Sequence, residues 1–258
     1  MTDVSVIGCG NMGSALLKGL SKAGSHTLTA CDLDPDALES VAEYSSTTTS
    51  DPAVAAEADV VIVAVKPDIV MHVVDDIDLS ADQTLVTLAA GVSTDVIEPH
   101  TDATVVRIMP NLAAETGNMA AAVTQHSVTD DVRELLDDVG EFVEIDEQQM
   151  DIATAVNGSG PAFVFYLLNA MKQAGVEGGL DDDEAKTLAA QTFKGAAETV
   201  LQSDQSIDDL IDAVCSPNGT TIEGMEVLWD SNADEAVVDA VSAAERRSKE
   251  LAMESEDE

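Results

Sequence analysis

A glycine-rich turn between the first apolar strand and the first helical stretch constrains the fold of this chain most strongly. Val4–Gly8 has the composition of a short buried strand, and Met12–Ala23 has apolar residues at helical spacing. The residues at the junction, Gly8 to Gly13, spell GxGxxG. That pattern alone is common, but between a strand and a helix it is typical of a dinucleotide-binding βαβ unit. We therefore predict a Rossmann-like domain at the start of the chain.

Each glycine of this turn has a separate task in such a unit. Gly8 allows the tight turn, Gly10 lets the backbone approach a pyrophosphate, and Gly13 lets the helix pack closely on the strand. Asn11 and Met12 lie between them at the start of the helix, where free N–H groups and the helix dipole favour an anion. The turn can thus hold a polyanion without lysine or arginine. The alternative is a glycine turn in a Rossmann domain that binds nothing.

The apolar pattern changes character near residue 147. Up to that point, short Val- and Ile-rich runs alternate with helical stretches, which predicts a parallel sheet covered on both faces. The predicted strands are Val4–Gly8, Thr27–Cys31, Val60–Val65, Thr84–Ala89, Thr104–Ile108, Met119–Val123 and Glu141–Glu144. The predicted helices are Met12–Ala23, Pro35–Glu43, Phe163–Ala174, Asp183–Leu201, Ile207–Val214, Thr221–Trp229 and Ala233–Met253. We predict an α/β Rossmann-like domain over residues 1–147 and an all-α domain over residues 148–258.

The charge of the chain excludes several classes of partner. Asp and Glu number 50 against 11 Lys and Arg, which gives a formal net charge of −39. No basic stripe exists to neutralise nucleic-acid phosphates, and an acidic surface is repelled by anionic lipid. Because 45% of the residues are hydrophobic, a packed core is still expected rather than disorder. Acids spread over every segment, with few lysines, predict a protein adapted to high salt. The alternative, an acidic tail, fits only Glu254–Glu258.

Cysteines, histidines and apolar runs argue against metal sites, disulfides and membrane insertion. The residues concerned are Cys9, Cys31, Cys215, His26, His72, His100 and His126. An odd number of cysteines at unrelated spacings fits neither a disulfide framework nor a CxxC site. The histidines lack metal-ligand spacing, so each is expected to be a surface or structural residue. No signal peptide and no membrane-spanning run is visible. We expect a soluble cytoplasmic protein without metal.

Acidic residues after the second predicted strand bear on the choice of cofactor. Asp32 follows Gly13 at the distance where an acid commonly binds the adenosine ribose diol. Its carboxylate would repel a 2′-phosphate, and no arginine stands nearby, so the residues favour NADH over NADPH. Asp34 precedes Pro35 and also fits a helix N-cap.

Lys66 is one of few lysines, and it follows the predicted strand that ends at Val65. Because open α/β sheets bind ligands at the carboxyl ends of their strands, Lys66 is a candidate cofactor contact through its backbone or its side chain. The alternative is an exposed loop lysine. Asn157–Pro161 lies at the start of a predicted helix. It either lines the site or consists only of residues that favour the start of a helix.

Further motifs give the chain a family resemblance. They are Ile7–Gly13, Ala64–Pro67, Ala89–Val92, Arg107–Asn111, Gly158–Phe163 and Val214–Gly224. In this order they resemble the motifs of the pyrroline-5-carboxylate reductases, from residue 4 to about residue 230. The GxGxxG is shared by many families, whereas Ser-Pro-x-Gly-x-Thr-Ile at Ser216–Ile222 is diagnostic.

The resemblance implies an activity and an assembly. Members reduce the cyclic imine 1-pyrroline-5-carboxylate to L-proline with NADPH or NADH, the last step of proline biosynthesis. The helical domain forms an interlocked homodimer, often assembled into a larger ring such as a decamer. The active site lies between the Rossmann domain of one chain and helical segments that include the partner's. The implied cofactor contacts beyond the glycine turn are Asp32, Asp34, Asp51, Ala64, Val65, Lys66, Pro67, Ala90 and Asn111.

The substrate residues follow from the same resemblance. They are Ser159, Gly160, Asp204, Ser216, Gly219, Thr220 and Thr221. A Ser/Gly/Thr-rich turn that opens a helix can bind the substrate carboxylate. Thr221 is the candidate that orients the imine nitrogen or relays its proton, with Ser216 as the second catalytic candidate. An N-cap cluster at Thr220, Thr221 and Glu223 is the alternative reading, compatible with the first.

Two departures from the family are informative. Asp204 stands where the family usually has a Glu linked to substrate chemistry, and its shorter side chain puts that role in doubt. NADP-using members have small hydroxyls at the position of Asp34 and an amide near that of Asp51. Two acids in their place strengthen the expectation of NADH.

Two other functions fit parts of the sequence. A β-hydroxyacid dehydrogenase has a similar architecture, but it places a catalytic lysine where this chain has Val164. A dinucleotide-sensing protein without catalysis is compatible with residues 1–147. It would have no use for the segment Ser216–Thr221.

Overall fold

The computed structural model describes residues 1–125 and 128–256, and the side chain of residue 252 and those of 254–256 are not part of that description. The role expected for His126 and the end of the acidic tail lie outside the described residues. The chain divides into two compact units. The first unit comprises Met1–Ser159 together with the chain from Ser242 on, and the second is Gly160–Val241.

The first unit is built on an eight-stranded sheet. Its strands are β1 (Asp3–Ile7), β2 (Thr27–Cys31), β3 (Thr47–Thr49), β4 (Val60–Val63), β5 (Thr84–Thr87), β6 (Thr104–Met109), β7 (Met119–Thr124) and β8 (Gly140–Ile145). Their order is β3-β2-β1-β4-β5-β6-β7-β8. Neighbours from β3 to β6 are parallel, and the register aligns Ile7 with Cys31 and with Val63. This arrangement confirms the predicted Rossmann-like architecture.

Helices follow most strands of this unit and make up the second unit. They are α1 (Asn11–Ala23), α2 (Pro35–Val41), α3 (Pro52–Ala55), α4 (Pro67–Asp76), α5 (Thr94–Ile97), α6 (Asp130–Asp137), α7 (Met150–Ala153), α8 (Gly160–Glu177), α9 (Asp182–Gln202), α10 (Ile207–Val214), α11 (Thr220–Trp229) and α12 (Ala233–Glu256). Short 3₁₀ turns include Leu112–Thr116, and Thr154–Gly158 forms a π-helical turn. The helical second half of the chain confirms the predicted all-α domain.

The sheet departs from the predicted all-parallel arrangement at one end. β7 runs antiparallel to β6, and β8 is parallel to β7. Only nine residues, 110–118, connect β6 to β7. A connection this short suits an antiparallel return, whereas a parallel crossover needs a dozen residues or more. The expectation of a wholly parallel sheet was therefore wrong for the last two strands.

The core of the first unit lies on both faces of the sheet, as expected for doubly buried strands. One face packs β-strand valines such as Val6 against α1 and α6, and the other packs residues such as Val61 and Val63 against α4. All four residues of β4 are buried. Ala114 and Val139 approach α1 so closely that a Cβ on Gly19 would lie 2.4 Å from the Ala114 carbonyl oxygen. Helix α1 is therefore in close contact with the Leu112–Thr116 turn.

The second unit exposes large apolar side chains. Phe165 is 67% exposed, Tyr166 78% and Trp229 56%, although all three lie on regular helices. Large apolar side chains exposed on a helical unit indicate an interaction face. Within the described part of the chain, none of the helices combines the length and the apolar character needed to cross a bilayer.

Candidate functional site

The carboxyl ends of the parallel strands meet along one edge of the sheet, called the ligand edge below. Gly8 donates its backbone N–H to the Cys31 carbonyl (2.8 Å), and Ala64 donates to the Ile7 carbonyl (2.8 Å). The segments after β1, β2 and β4 therefore stay side by side. Strand order reverses between β1 and β4, and open α/β sheets bind ligands at such a switch point.

The glycine turn at this edge has the geometry that its sequence predicted. Gly8 has a φ of +99°, and a Cβ there would lie 2.7 Å from the Ala64 carbonyl oxygen. A Cβ on Gly13 would lie 1.9 Å from the Gly8 carbonyl oxygen, so only glycine allows this contact between helix and strand. A Cβ on Gly10 would meet nothing within 4 Å. Gly10 thus faces open space, which is where a ligand can approach the backbone.

The start of α1 is suited to a phosphate group. The N-cap residue is Gly10, no side chain caps the helix, and the first turn, from Asn11, carries no acidic residue. The N–H groups of the first turn and the positive end of the helix dipole are therefore free to bind an anion. Together with the open space at Gly10, this geometry fits the pyrophosphate of a dinucleotide.

Asp32 ties the glycine turn to the segment that follows β2. Its Oδ2 accepts a hydrogen bond from the Cys9 backbone N–H (2.6 Å), and its Oδ1 accepts one from the Asp34 N–H (2.9 Å). Each carboxylate oxygen has a second lone pair, so Asp32 retains acceptor capacity for ribose hydroxyls. The sequence did not reveal that this carboxylate also organises the turn.

Asp34 and Asp51 are both helix caps at the ligand edge. Asp34 accepts from the Asp36 N–H (3.0 Å) at the start of α2, and Asp51 accepts from the Ala53 N–H (3.0 Å) at the start of α3. Each precedes a proline at the first helical position, the arrangement that favours an Asp N-cap. The predicted cap at Asp34 is confirmed. Both side chains are exposed, so their charge also faces any group bound beside β2 and β3.

The remaining predicted cofactor contacts lie along the same edge. Ala64 and Val65 follow β4, and Lys66 is the N-cap residue of α4, which begins at Pro67. Lys66 is exposed and forms no ion pair among the described residues. Ala90 lies after β5, directly before a turn at Gly91 with a φ of +79°.

Two buried thiols lie behind the glycine turn. Cys9 donates from Sγ to the Cys31 carbonyl at 3.6 Å, and both residues are at most 3% exposed. Burial, followed by the nearby Asp32 carboxylate, raises the pKa of Cys9 to about 12. Burial and the same carboxylate raise the pKa of Cys31 to about 11. Both thiols are therefore neutral packing groups at neutral pH.

Asn111 and Asn157 meet at the end of β6. Asn111 is 8% exposed and donates from Nδ2 to the Asn157 carbonyl (3.3 Å). Asn157 donates from Nδ2 to the carbonyls of Met109 (2.6 Å) and Ala120 (2.9 Å). Asn157 lies in the predicted segment Asn157–Pro161, but its hydrogen bonds to β6 and β7 could not be read from the sequence.

A buried ion pair joins β6 to the segment that precedes α7. The Arg107 guanidinium, on β6, pairs with the Glu147 carboxylate, just before α7. Arg107 is 4% exposed, and buried charges are tolerated only when they are paired. This pair could not be predicted from the sequence, because Glu147 is one of 50 acidic residues and nothing nearby distinguishes it.

The predicted substrate residues Ser159 and Gly160 follow the π-helical turn. The Ser159 N–H donates to the Thr154 carbonyl (3.0 Å), five residues back, and Gly160 begins α8. Single π turns inside helices recur at functional sites because they displace one residue from regular helical positions. Ser159 is partly exposed.

The Ser216–Thr221 segment forms a tight turn that opens α11. Gly219 donates its N–H to the Ser216 carbonyl (2.9 Å), and Asn218 has a φ of +59°. Gly and Asn are the residues that most readily adopt such left-handed geometry. Helix α11 begins at Thr220 with Gly219 as the N-cap residue and without a side-chain cap. The hydroxyls of Thr220 and Thr221 do not cap the helix, so the alternative of a threonine N-cap cluster was wrong.

The structure brings the predicted residues into two groups. The cofactor candidates lie together at the ligand edge of the first unit, and Ser216, Gly219, Thr220 and Thr221 lie together at the start of α11 in the second unit. Asp204 is exposed in the connection between α9 and α10. Within the described residues, no cluster of three or more His, Cys, Asp or Glu could hold a metal ion. His26 and His100 pair with Asp138 and Asp75.

Comparison with known proteins places this geometry in a family. The chain is 36% identical to the pyrroline-5-carboxylate reductase of Methanosarcina acetivorans, over 96% of this chain and 97% of that protein. A solved pyrroline-5-carboxylate reductase from Coxiella burnetii aligns with a TM-score of 0.85 at 30% identity, over 97% of this chain and 98% of that one. The Plasmodium falciparum enzyme with NADP bound aligns with a TM-score of 0.82 at 29% identity, over the same shares.

Family models match the two halves of the chain separately. The model described as NADP oxidoreductase coenzyme F420-dependent matches residues 3–91, which contain the glycine turn. The model described as pyrroline-5-carboxylate reductase dimerisation matches residues 147–251, which contain Ser159 and the turn before α11. The chain belongs to the pyrroline-5-carboxylate reductase family.

Proposed function

We propose that this protein reduces 1-pyrroline-5-carboxylate to L-proline with NADH as the preferred donor, and that Thr221 orients the reacting imine. The reduction itself follows from membership of the family. The assignment of roles rests on one observation above others. The turn at Ser216–Gly219 leads into a helix whose first N–H groups have no side-chain cap, with two threonine hydroxyls beside them.

The first unit holds the donor. The free N–H groups at the start of α1 bind the pyrophosphate, and Asp32 accepts hydrogen bonds from the ribose hydroxyls. Further along the ligand edge, the segments at Ala64–Pro67, Ala90 and Asn111 contact the rest of the dinucleotide. When bound, a reduced nicotinamide supplies the hydride. The protein contributes mainly position, since hydride transfer to an imine needs no covalent help from a side chain.

The turn before α11 holds the substrate. Its carboxylate lies at the N-cap residue Gly219 on the N–H groups of Thr220 and Thr221, where the positive end of the helix dipole stabilises an anion. The Ser216 hydroxyl adds a further donor at the same turn. The Thr221 hydroxyl hydrogen-bonds the ring nitrogen, which fixes the face of the imine that receives the hydride. Ser159, Gly160 and Asp204 are the further proposed substrate contacts.

Replacement of Thr221 by Ala tests this role. Imine reduction is expected to fall by about tenfold to a hundredfold in kcat/KM, because the orienting hydrogen bond is lost. The dissociation constant for NADH, measured by fluorescence, is expected to stay unchanged. Thr221→Ser retains the hydroxyl and is the matched control that should keep most of the activity. Unchanged turnover in the alanine variant would show that Thr221 has no such role.

We further propose that the acids beside β2 and β3 select NADH over NADPH. Asp32, Asp34 and Asp51 place three carboxylates at the ends of adjacent strands, and a 2′-phosphate bound there would meet all three charges. The test compares kcat/KM for the two donors at high KCl. A preference for NADPH of about tenfold or more would contradict the proposal, since a tenfold ratio of kcat/KM corresponds to about 1.4 kcal/mol of transition-state stabilisation.

Assembly and cellular location complete the proposal. Residues 147–251 match a dimerisation family, so the protein forms a homo-oligomer. The exposed apolar residues Phe165, Tyr166 and Trp229 fit a helical dimer interface. A larger ring such as a decamer remains a prediction from the family resemblance, and the cytoplasm is the proposed location. Residues 148–258 are proposed to carry the dimerisation and substrate functions.

A further inference from the structure

The amide of Asn157 joins two strands at the point where their pairing ends. Its Nδ2 donates to the Met109 carbonyl at the end of β6 (2.6 Å) and to the Ala120 carbonyl on β7 (2.9 Å). Two carbonyl oxygens can be bonded only by the NH₂ end of the amide, so its orientation is determined. Beyond the last paired residues, Met109 and Ala122, the strands are held together by this side chain.

Asn111 completes the arrangement from the other side. Its Nδ2 donates to the Asn157 backbone carbonyl (3.3 Å), and its Oδ1 accepts from the N–H groups of Ala113 (3.1 Å) and Ala120 (3.4 Å). Asn111 is therefore bonded to the 3₁₀ turn that it caps, to β7 and to the π-helical turn. Asn111 and Asn157 together are called the amide clamp.

The clamp connects the two ends of the region where a dinucleotide is proposed to lie. On one side, the 3₁₀ turn Leu112–Thr116 packs against α1, where Gly19 leaves room for the Ala114 carbonyl. Helix α1 starts at the glycine turn that faces the pyrophosphate. On the other side, Asn157 is two residues before Ser159. Contiguous contacts thus link the phosphate end of the ligand edge to the predicted substrate segment within one compact unit.

Two features of Asn157 are poorly explained by stability alone. Its Oδ1 is buried and has no hydrogen-bond partner among the described residues, which is unfavourable for a fold. It also sits in a π-helical turn, which is rarer and less stable than an α-helical turn and recurs at functional sites. Sequences tolerate such local costs mainly where position matters for function.

We propose that Asn157 is a positioning residue for hydride transfer. It sets the distance between the segment Met109–Asn111, which ends in the proposed cofactor contact Asn111, and Ser159, proposed to line the substrate site. This role rests on the proposed function. Asn157 acts through the backbone of Met109 and through Asn111, and it need not touch either reactant.

The test compares Asn157→Ala with a matched control, Asn118→Ala. Asn118 lies in the connection between β6 and β7, is exposed, and donates to the Thr116 carbonyl (2.8 Å) and hydroxyl. Both substitutions remove an amide with two hydrogen bonds, but only Asn157 bonds to Met109 and Ala120. Asn157→Ser keeps one hydroxyl donor and supplies a milder variant if the alanine variant folds poorly.

Three readouts separate positioning from general stability. In Asn157→Ala, kcat is expected to fall by about tenfold or more, because small misplacements of reacting groups are costly, while the NADH dissociation constant changes by about twofold or less. The primary isotope effect on kcat, with NADH deuterated at the transferred position, is expected to rise as hydride transfer becomes more rate-limiting. In the protein without cofactor, amide hydrogen exchange is expected to accelerate at residues 110–120.

The outcomes are distinct. An Asn157→Ala protein with the kcat and isotope effect of the wild type overturns the inference, and so does an equal loss of kcat in Asn118→Ala. Asn157→Ser is expected to fall between the wild type and alanine, and a serine variant as impaired as alanine while stably folded would also contradict it. Wild-type protein without imine turnover would overturn the proposed function itself, and with it this role, before any variant is compared.

Discussion

Gly10 and Gly13 belong to one turn but serve different purposes. The backbone of Gly10 has a φ of −67° and a Cβ there would touch nothing within 4 Å, so alanine fits the fold. The same methyl group would occupy the space in which a pyrophosphate approaches the turn. A Cβ on Gly13 would lie 1.9 Å from a backbone oxygen, so alanine there must displace α1 from β1.

Gly10→Ala is therefore expected to raise the NADH dissociation constant by about tenfold or more while leaving the melting temperature close to that of the wild type. Gly13→Ala is expected to lower the melting temperature by several degrees, since overpacking typically costs about 1–3 kcal/mol. Fluorescence titration with NADH and thermal unfolding monitored by circular dichroism measure the two effects. Equal behaviour of the two variants would contradict the separate roles.

The raised pKa values of Cys9 and Cys31 predict selective thiol chemistry. With a pKa of about 12 instead of 9.0, the thiolate fraction of Cys9 at pH 8 is roughly a thousandfold lower than that of an ordinary thiol. Cys215 is partly exposed and is expected to react first with a maleimide or a disulfide reagent. Mass spectrometry of the labelled native protein identifies the site. Labelling of Cys9 or Cys31 before Cys215 would refute the assignment.

The same shifts predict the alkaline limit of stability. Folding favours the neutral thiols, because the folded pKa values of about 12 and 11 exceed the ordinary value of 9.0. Their contribution is complete below pH 9 and is lost as pH rises toward 11 and 12. Cys31→Ala should reduce this loss, which urea unfolding between pH 8 and 11 measures.

At the scale of elements, the turn before α11 depends on one backbone conformation. Asn218 has a φ of +59°, which β-branched side chains adopt only with strain. Asn218→Gly is expected to preserve the turn, whereas Asn218→Val should distort it at a cost of about 1–2 kcal/mol. The valine variant should then show a raised KM for the imine and an unchanged NADH dissociation constant. A valine variant with a normal KM would mean that the turn does not bind substrate.

Elements with a strong apolar pattern could be predicted from the sequence, and weakly patterned ones could not. The predicted strands Thr27–Cys31 and Val60–Val65 and the predicted helix Met12–Ala23 all correspond to observed elements because each has a buried apolar face. β3 is three threonines at the edge of the sheet, where pairing with β2 rather than an apolar run decides the conformation. The antiparallel direction of β7 follows from the short connection between β6 and β7, and it becomes apparent only when the two strands pair in the folded protein.

Of the candidate site, the glycine turn could be predicted from the sequence, whereas the contacts of Asn157 and Asp32 could not. Gly8, Gly10 and Gly13 carry a spacing that local sterics explain, and the structure shows the contacts that require glycine at Gly8 and Gly13. The role of Asn157 depends on carbonyls 37 and 48 residues away in sequence, which no local pattern encodes. The second hydrogen bond of Asp32, to the glycine turn, likewise appears only when β1 and β2 are side by side.

At the scale of the whole molecule, the charge of −39 predicts a dependence on salt. If each of the 11 Lys and Arg residues paired with one acid, 39 of the 50 acidic residues would have no Lys or Arg partner. Screening lengths fall from about 10 Å at 0.1 M salt to about 3 Å at 1 M, so repulsion between these acids weakens strongly over that range.

The melting temperature is therefore expected to rise steeply between 0.1 M and 1 M KCl and to level off above about 1 M if screening is the cause. A continued linear rise at higher concentrations would instead indicate exclusion of the salt from the protein surface. Thermal unfolding in KCl and in sucrose of matched osmolality separates these effects. A melting temperature that does not change with KCl would contradict salt adaptation.

The net negative charge of the chain is unfavourable for binding anionic ligands. The dinucleotide and the substrate are both anions, yet the proposed contacts at the start of α1 and at Thr220 and Thr221 use backbone N–H groups and a hydroxyl. Helix starts give local positive potential that does not depend on net charge. We therefore expect the acidity to act at the surface and in the choice between NADH and NADPH, and the two turns to bind the reactants.

A steady-state assay of the purified protein with 1-pyrroline-5-carboxylate and each donor across KCl concentration tests the proposed reduction and its choice of donor. We expect oxidation of NADH coupled to formation of L-proline in equal amounts, with a higher kcat/KM for NADH than for NADPH and with activity that increases with KCl. Absence of imine turnover with both donors at every salt concentration would contradict it.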